Sequence, residues 1–186
     1  MRKIVAGLFL SLDGVMEAPE QWTGPYMNDE LGQEIGSQLA GSDAMLLGRR
    51  TYQEFAAVWP HRTSEEFGPV ADVMNGIPKY VVSTTLDRAD WQNSTLIEGD
   101  VVAELTRLKQ QPGKSIGISG SATLVRSLLR TNLLDELNLL VPPITVGTGR
   151  RLFEDWDARL PLKLERSKAL STGVLCLTYA PLSTAR

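Results

Sequence analysis

Three short stretches of the chain carry residue types that suit a phosphate-bearing ligand. In LLGRRTYQEF, an apolar run ends in Gly48 and is followed by Arg49, Arg50 and Thr51. In SIGISGSATLVRSLL, another apolar run ends at Ser119, and Gly120, Ser121, Ala122 and Thr123 follow. In VVSTTLD, Ser83 and Thr84 come just after a third run. Arginine pairs phosphate bidentately, and a threonine at a helix start offers a hydroxyl. Glycine permits a tight turn or the close approach of a backbone. The first N–H groups of a helix lack internal partners, and together with the helix dipole they form an anion site. Each stretch also has a plainer alternative. Exposed arginines solvate a surface, Ser121 can be an ordinary N-cap, and Ser83 and Thr84 can cap a turn. Recurrence favours the ligand: three strand ends carry matching chemistry, and ligands of open α/β sheets gather at the carboxyl ends of strands. A dinucleotide with an extra ribose phosphate uses all three turns better than a monophosphate does.

Other chemistry is excluded. PGKS at Pro112–Ser115 is not a phosphate-binding P-loop, because Leu108 stands where the first glycine is required and KSIGIS reads as a strand. No G-x-G-x-x-G follows the first strand. The single cysteine, Cys176, cannot form an intrachain disulfide, and its apolar setting in GVLCLTYA reads as a buried core thiol. With one histidine, His61, and no His/Cys cluster at ligand spacing, no metal is expected. A net charge of −3 offers no broad attraction to nucleic acid. The apolar start MRKIVAGLFLSLDG has no cleavage-site pattern and reads as a first core strand rather than a signal peptide. No segment reaches the roughly 18 apolar residues that a membrane span needs. These readings together lead us to expect a cytoplasmic protein that binds a small molecule and neither nucleic acid nor membrane.

The elements that must position these residues alternate. KIVAGLFL, DAMLLG, KYVVSTT, STLIEG and KSIGISG read as strands. NDELGQEIGSQLAG, RRTYQEFAAVW, DVVAELTRLKQQPG and SATLVRSLLRTN read as helices, and SEEFGPVADVMNG as a broken helical segment. Asn28 and Asp100 are the expected caps of two of them, and Val102, Leu105 and Leu108 the apolar stripe of one. Tyr52 and Phe55 form the face that anchors the second helix to the sheet. Between the first strand and first helix lies SLDGVMEAPEQWTGPY, a loop long enough to imply a functional role. The chain closes with strands alone: DELNLLVPPI, LPLKLERSKAL and GVLCLTYAP, the last two as an antiparallel ribbon at the sheet edge. Alternation implies parallel pairing with helices on both faces, and the closing strands make the sheet mixed. With 186 residues and no internal repeat or linker, one domain is expected over 1–186, its core spanning about 3–180.

Taken in order, SLDG, LLGRRTY, VVST, GISGSATLVRSLL and DELNLLVPPITVGTGRRLF resemble the dihydrofolate reductase-like superfamily. The branch most similar is the C-terminal reductase domain of riboflavin-biosynthesis deaminase-reductases and its stand-alone relatives. The resemblance runs from about Lys3 to Tyr179. It implies an α/β, three-layer fold whose central mixed, mostly parallel sheet has helices on both faces and an antiparallel C-terminal edge. It also implies a homodimer that binds NADPH.

Carried over by position, Gly48, Arg49 and Thr51 would meet the cofactor's phosphates and ribose, with Arg50 a weaker companion. Ser83 and Thr84 would lie near the 2′-phosphate. Gly120, Ser121, Ala122 and Thr123 would receive the pyrophosphate. Asp13 would orient substrate or relay a proton. Trp22 and Tyr26 would stack on or close over the acceptor, although Trp22 reads equally as a plug beneath its loop. The chain departs from true dihydrofolate reductases after Pro25. There Tyr26 and Met27 stand where those enzymes lead into a carboxylate, and the first acids are Asp29 and Glu30. Asp29 is the residue that could replace it. The implied activity is hydride transfer from NADPH to a pyrimidine- or pterin-like heterocycle or its ribosylamino derivative. The alternatives are dihydrofolate reduction proper and an NADPH-binding module without catalysis.

Overall fold

The computed structural model of the chain describes residues 1–182 apart from 155 and 158. The described residues build one eight-stranded sheet from β1 (Ile4–Phe9), β2 (Ser42–Gly48), β3 (Lys79–Val82), β4 (Ser94–Ile97), β5 (Ser115–Ser119), β6 (Glu136–Val141), β7 (Leu162–Ala169) and β8 (Leu175–Pro181). Their spatial order is β4-β3-β2-β5-β1-β6-β8-β7. Pairing is parallel from β4 through to β6, and antiparallel where β8 meets β6 and β7. The expected mixed sheet with an antiparallel edge ribbon is what forms.

Alternation along the central strands divides the core. From β1 and β2, Ile4, Ala6, Leu8, Ala44 and Leu46 face one side, where α5 (Val101–Gln110) and α6 (Ala122–Arg130) pack with Leu105, Leu108, Val125 and Leu128. Met45 and Leu47 face the other side, against Tyr52 of α2 (Arg49–Ala56) and Met74 of α4 (Pro69–Gly76). α1 (Asp29–Ala40) covers that same side farther along, Leu31 meeting Leu140 of β6 and Cys176 of β8. Strands read by their neighbours on both faces become continuous apolar runs, as β2 does from Ala44 to Leu47.

Caps fall where expected. Asn28 accepts the Leu31 N–H at 3.0 Å, and Asp100 accepts from Val102 and Ala103. Cys176 is buried and free. In α5, Leu105 and Leu108 are buried but Val102 is exposed, so the stripe is narrower than its spacing suggests. The buried partner at the C-terminal end is Lys109, whose Nζ reaches the Asp135 carboxylate and the Leu133 carbonyl. The broken helical segment is α3 (Ser64–Phe67) and α4, separated by Gly68 at φ +70°. The loop before α1 holds two 3-10 turns, Pro19–Gln21 and Gly24–Tyr26.

Candidate functional site

β2 and β5 are neighbours in the sheet and parallel, so the turns that leave their carboxyl ends lie side by side. One turn delivers Gly48, Arg49, Arg50 and Thr51 into α2; the other delivers Gly120, Ser121, Ala122 and Thr123 into α6. Hydrogen bonds lock them together. The Ser121 hydroxyl accepts the Gly48 N–H at 3.0 Å and donates to Thr51 Oγ1 at 2.9 Å, and Thr51 Oγ1 also accepts the Ser121 N–H at 3.1 Å. Ser121 stands at the N-cap position of α6, but its side chain does not cap the helix. Its hydroxyl is spent on the neighbouring turn, and its backbone sits in the left-handed region at φ 57°. No side chain caps either α2 or α6. Both helix starts keep N–H groups free for an anion, and their dipoles converge on one place.

The same place is cradled by glycine. A Cβ at Gly120, whose φ is +70°, would come within 3.1 Å of Thr51. A Cβ at Gly48 would touch Ser121 Oγ at 3.4 Å. All eight residues of the two turns line one cleft of about 1080 Å³. That is ample for a dinucleotide together with a small acceptor. An NADPH pyrophosphate therefore fits this cradle: unspent amides, a positive dipole end and room where side chains would intrude.

Ser83 and Thr84 stand apart. They line a second, shallower hollow after β3, beside Asp87 and Glu98. The Ser83 hydroxyl already accepts the N–H groups of Thr85 and Leu86 and so holds its own turn. Arg49 connects the two places, donating to Thr85 Oγ1 at 2.7 Å. Arg50 is exposed and lies 3.6 Å from Glu54, one helical turn on.

The residues expected around the acceptor do not line the cleft. Asp13 joins two loops: its carboxylate accepts from the Ser11 hydroxyl, the Val146 N–H and the Gly147 N–H at 2.6, 3.0 and 2.8 Å. Those bonds, the Ser11 one foremost, hold the carboxyl well below its usual range. Trp22 is buried, its indole donating to the Glu17 carbonyl and its ring edge-on to Phe9. The Tyr26 hydroxyl lies 3.4 Å from the Pro143 carbonyl, and Asp29 is exposed at the start of α1. Trp22 nonetheless buttresses the wall, since Phe9 and Glu17 do line the cleft.

The floor beneath α1 leaves little trace in the sequence. There Gly7, Gln38, Gly117 and Ser119 line the cleft, with Ile35 and Leu39 beside Gln38. The available signal was glycine inside a strand, at Gly7 in β1 and Gly117 in β5, which marks close approach of something else to the sheet. Arg150 was also missed; it lines the cleft and bonds the Glu17 carboxylate at 2.9 Å.

Glu34 of α1 is held by Arg166 at 2.8 and 3.0 Å and by Lys168 at 2.8 Å, both from β7. Arg166 first, then Lys168, draws its carboxyl from 4.5 down to about 2. A folded-state value below the unfolded one gives stability that is complete above about pH 4.5 and is lost as pH falls toward 2. Thermal melts of the wild type and Glu34→Gln across this window should show a shallower acid dependence in the variant. Equal slopes would remove Glu34 from the explanation of acid stability.

Among the described residues, no group of three or more His, Cys, Asp and Glu could hold a metal ion. No helix among them is long and apolar enough to cross a membrane.

The chain is 28% identical over 182 residues to the uncharacterised protein YyaP of Bacillus subtilis strain 168, covering 96% of this chain and 94% of that one. Among solved structures, it resembles a protein of Shewanella sp. PV-4 provisionally assigned to riboflavin biosynthesis, with a TM-score of 0.77 at 19% identity and 98% and 99% coverage. It also resembles the dihydrofolate reductase of Enterococcus faecalis complexed with NADP(H), with a TM-score of 0.62 at 12% identity and 96% coverage of each chain. The fold is therefore dihydrofolate reductase-like, as the motif order implied. Residues 2–176 match the RibD C-terminal domain, and the chain belongs to that family.

Proposed function

We propose that this protein is an NADPH-dependent reductase that transfers a hydride to a pyrimidine- or pterin-like heterocycle or its ribosylamino derivative. The observation that carries the reading is the locked pair of turns, Gly48–Thr51 with Gly120–Thr123, which leaves two uncapped helix starts at one glycine-lined cradle. Membership of a family of riboflavin-pathway reductase-like domains supports it.

When bound, NADPH supplies the hydride, and the protein supplies position and exclusion of water. In this reading the amides at the starts of α2 and α6 hold the pyrophosphate. Thr51 and Ser121 keep those two starts in register. Arg49 serves the 2′-phosphate, since its guanidinium already reaches the turn after β3, where Ser83 and Thr84 lie. Asp13 is a positioning residue: a carboxylate held ionised by three donors carries no proton to give, but it fixes the loops that border the acceptor.

Arg49→Ala tests the cofactor assignment. It should weaken NADPH by about 1–3 kcal/mol, because charge-assisted bonds are lost. It should weaken NADH far less, because NADH has no 2′-phosphate. Fluorescence titrations with both cofactors measure this, and unchanged affinity for both would refute the role given to Arg49.

A cofactor-binding module without catalysis is the second reading, and one observation favours it. Of the carboxylates that line the cleft, Glu17 is paired with Arg150 and Glu54 with Arg50, while Glu34 of α1 is neutralised by β7. Stopped-flow oxidation of bound NADPH by pteridines and ribosylaminopyrimidines separates the two. Tight binding without turnover on any of them would select the module.

A further inference from the structure

The floor beneath α1 carries a polar row set by strand register. Ser119 of β5 pairs with Gly7 of β1, Gly7 with Asn138 of β6, Asn138 with Thr178 of β8, and Thr178 with Arg166 of β7. Away from the cleft end, three side chains of the row are engaged. Thr178 donates to Asn138 Oδ1 at 2.7 Å, and Arg166 holds Glu34. At the cleft end, Gly7 removes a side chain, and the Gln38 carboxamide fills the space over it. A Cβ on Gly7 would lie 2.4 Å from Gln38 Oε1.

Gln38 is half-buried, lines the cleft, and makes no hydrogen bond to another described residue through its amide. Its neighbours on the lining, Ile35 and Leu39, are apolar. The acids of α1 are elsewhere: Asp29 is exposed, Glu30 bonds Ser171, and Glu34 bonds Arg166 and Lys168. An acceptor lying under α1 therefore meets neutral polar groups, the Gln38 carboxamide and the Ser42 and Ser119 hydroxyls, and of these only the carboxamide sets a donor beside a separate acceptor. A carboxamide offers N–H and C=O side by side, which matches a lactam edge of the reverse order. A carboxylate in the same place would match a cationic amidine edge instead.

We propose that Gln38, seated over Gly7, is the specificity-determining residue of the acceptor site and selects heterocycles presenting a neutral lactam edge over those presenting an amidine edge. This rests on the reductase reading for the identity of the cleft, but its test reads binding, not turnover.

The probes are lumazine, which carries lactam edges, and 2,4-diaminopteridine, which carries amidine edges. Each is titrated by fluorescence against wild type, Gln38→Leu and Gln38→Glu, with and without NADP⁺. Wild type should prefer lumazine. Gln38→Leu should bind lumazine about 10-fold more weakly, as loss of a buried pair of hydrogen bonds implies. Gln38→Glu should reverse the preference. Melting temperature and NADP⁺ affinity should match wild type in both variants, which separates a changed site from a damaged fold. Equal lumazine affinity in wild type and Gln38→Leu would overturn the proposal, as would a Gln38→Glu variant that keeps the wild-type preference. So would a wild type that binds NADP⁺ but not lumazine, a result that leaves the cofactor reading intact. Lumazine discrimination without any NADP⁺ binding would do the opposite, supporting Gln38 while removing the cofactor.

Discussion

Gly120→Val should lower NADPH affinity by about 100-fold or more, the largest single effect expected in the cleft, from combined strain and occlusion. Three facts lead to that expectation. Gly120 has φ +70°, a conformation that costs a β-branched residue about 1–2 kcal/mol. Its Cβ would press on Thr51 at 3.1 Å, and Thr51 Oγ1 is the atom through which the Ser121 N–H and hydroxyl join the two turns. The added methyls would also stand where the first amides of α6 open to the cleft. Pushing Thr51 aside therefore disorganises both helix starts at once. Isothermal titration calorimetry on folded variant checks the affinity, with circular dichroism confirming the fold. A Gly120→Val protein that binds NADPH as wild type does would show that the paired turns are not the pyrophosphate site. Gly120→Ala is the gentler control: it carries the same strain with less bulk, so its affinity should fall between the two.

The second large effect concerns stability. Lys79 opens β3 and is only 1% exposed. Its ammonium donates to the carbonyls of Ile77, Asn75 and Gln92 at 2.8, 3.1 and 3.2 Å and stands 4.1 Å from the centre of the Trp91 ring. Burial pushes its pKa down to about 8. The carbonyl ring around the ammonium and the face of Trp91 favour the charged form and work against that push. The surroundings are a closed network. The Trp91 indole donates to Asn75 Oδ1, Asn75 Nδ2 to the Trp59 carbonyl, and the Trp91 N–H to the Tyr52 hydroxyl.

Lys79→Met keeps much of the volume but leaves the Ile77 and Gln92 carbonyls without their donor and takes one donor from the Asn75 carbonyl. Its cost should be about 3 kcal/mol, in the range for breaking a buried polar network. In urea the unfolding midpoint should drop with the slope unchanged. A loss below about 0.5 kcal/mol, the scale of an ordinary surface change, would show that Lys79 is not holding the network.

Some of the protein was legible in its sequence for a simple physical reason: the signals were local. Alternating strand and helix periods, Asn28 and Asp100 as caps, and a run of closing strands each depend on neighbours within a turn or two. They sufficed for a mixed sheet with helices on both faces and an antiparallel edge. The strand–helix turns at Gly48 and Gly120 were legible for the same reason. So was the superfamily, because motif order survives where identity falls to 19% against a structure of the same shape.

What the tertiary structure decided was everything that depends on which strands are neighbours. Ser121 looked like a cap of its own helix, yet its hydroxyl bonds Gly48, 73 residues away, because β5 lies beside β2. Asp13 had the position of a catalytic acid, yet it accepts the amides of Val146 and Gly147 from a loop more than 130 residues on. Glu34 and Gln38 stand four residues apart on one face of α1. The fold sends Glu34 to Arg166 and Lys168 on an edge strand and sets Gln38 over a glycine in the cleft. Periodicity assigns a residue to a face of its own element. Only the order and register of the strands decide what that face meets, and so whether a charge is spent on the fold or kept for a ligand.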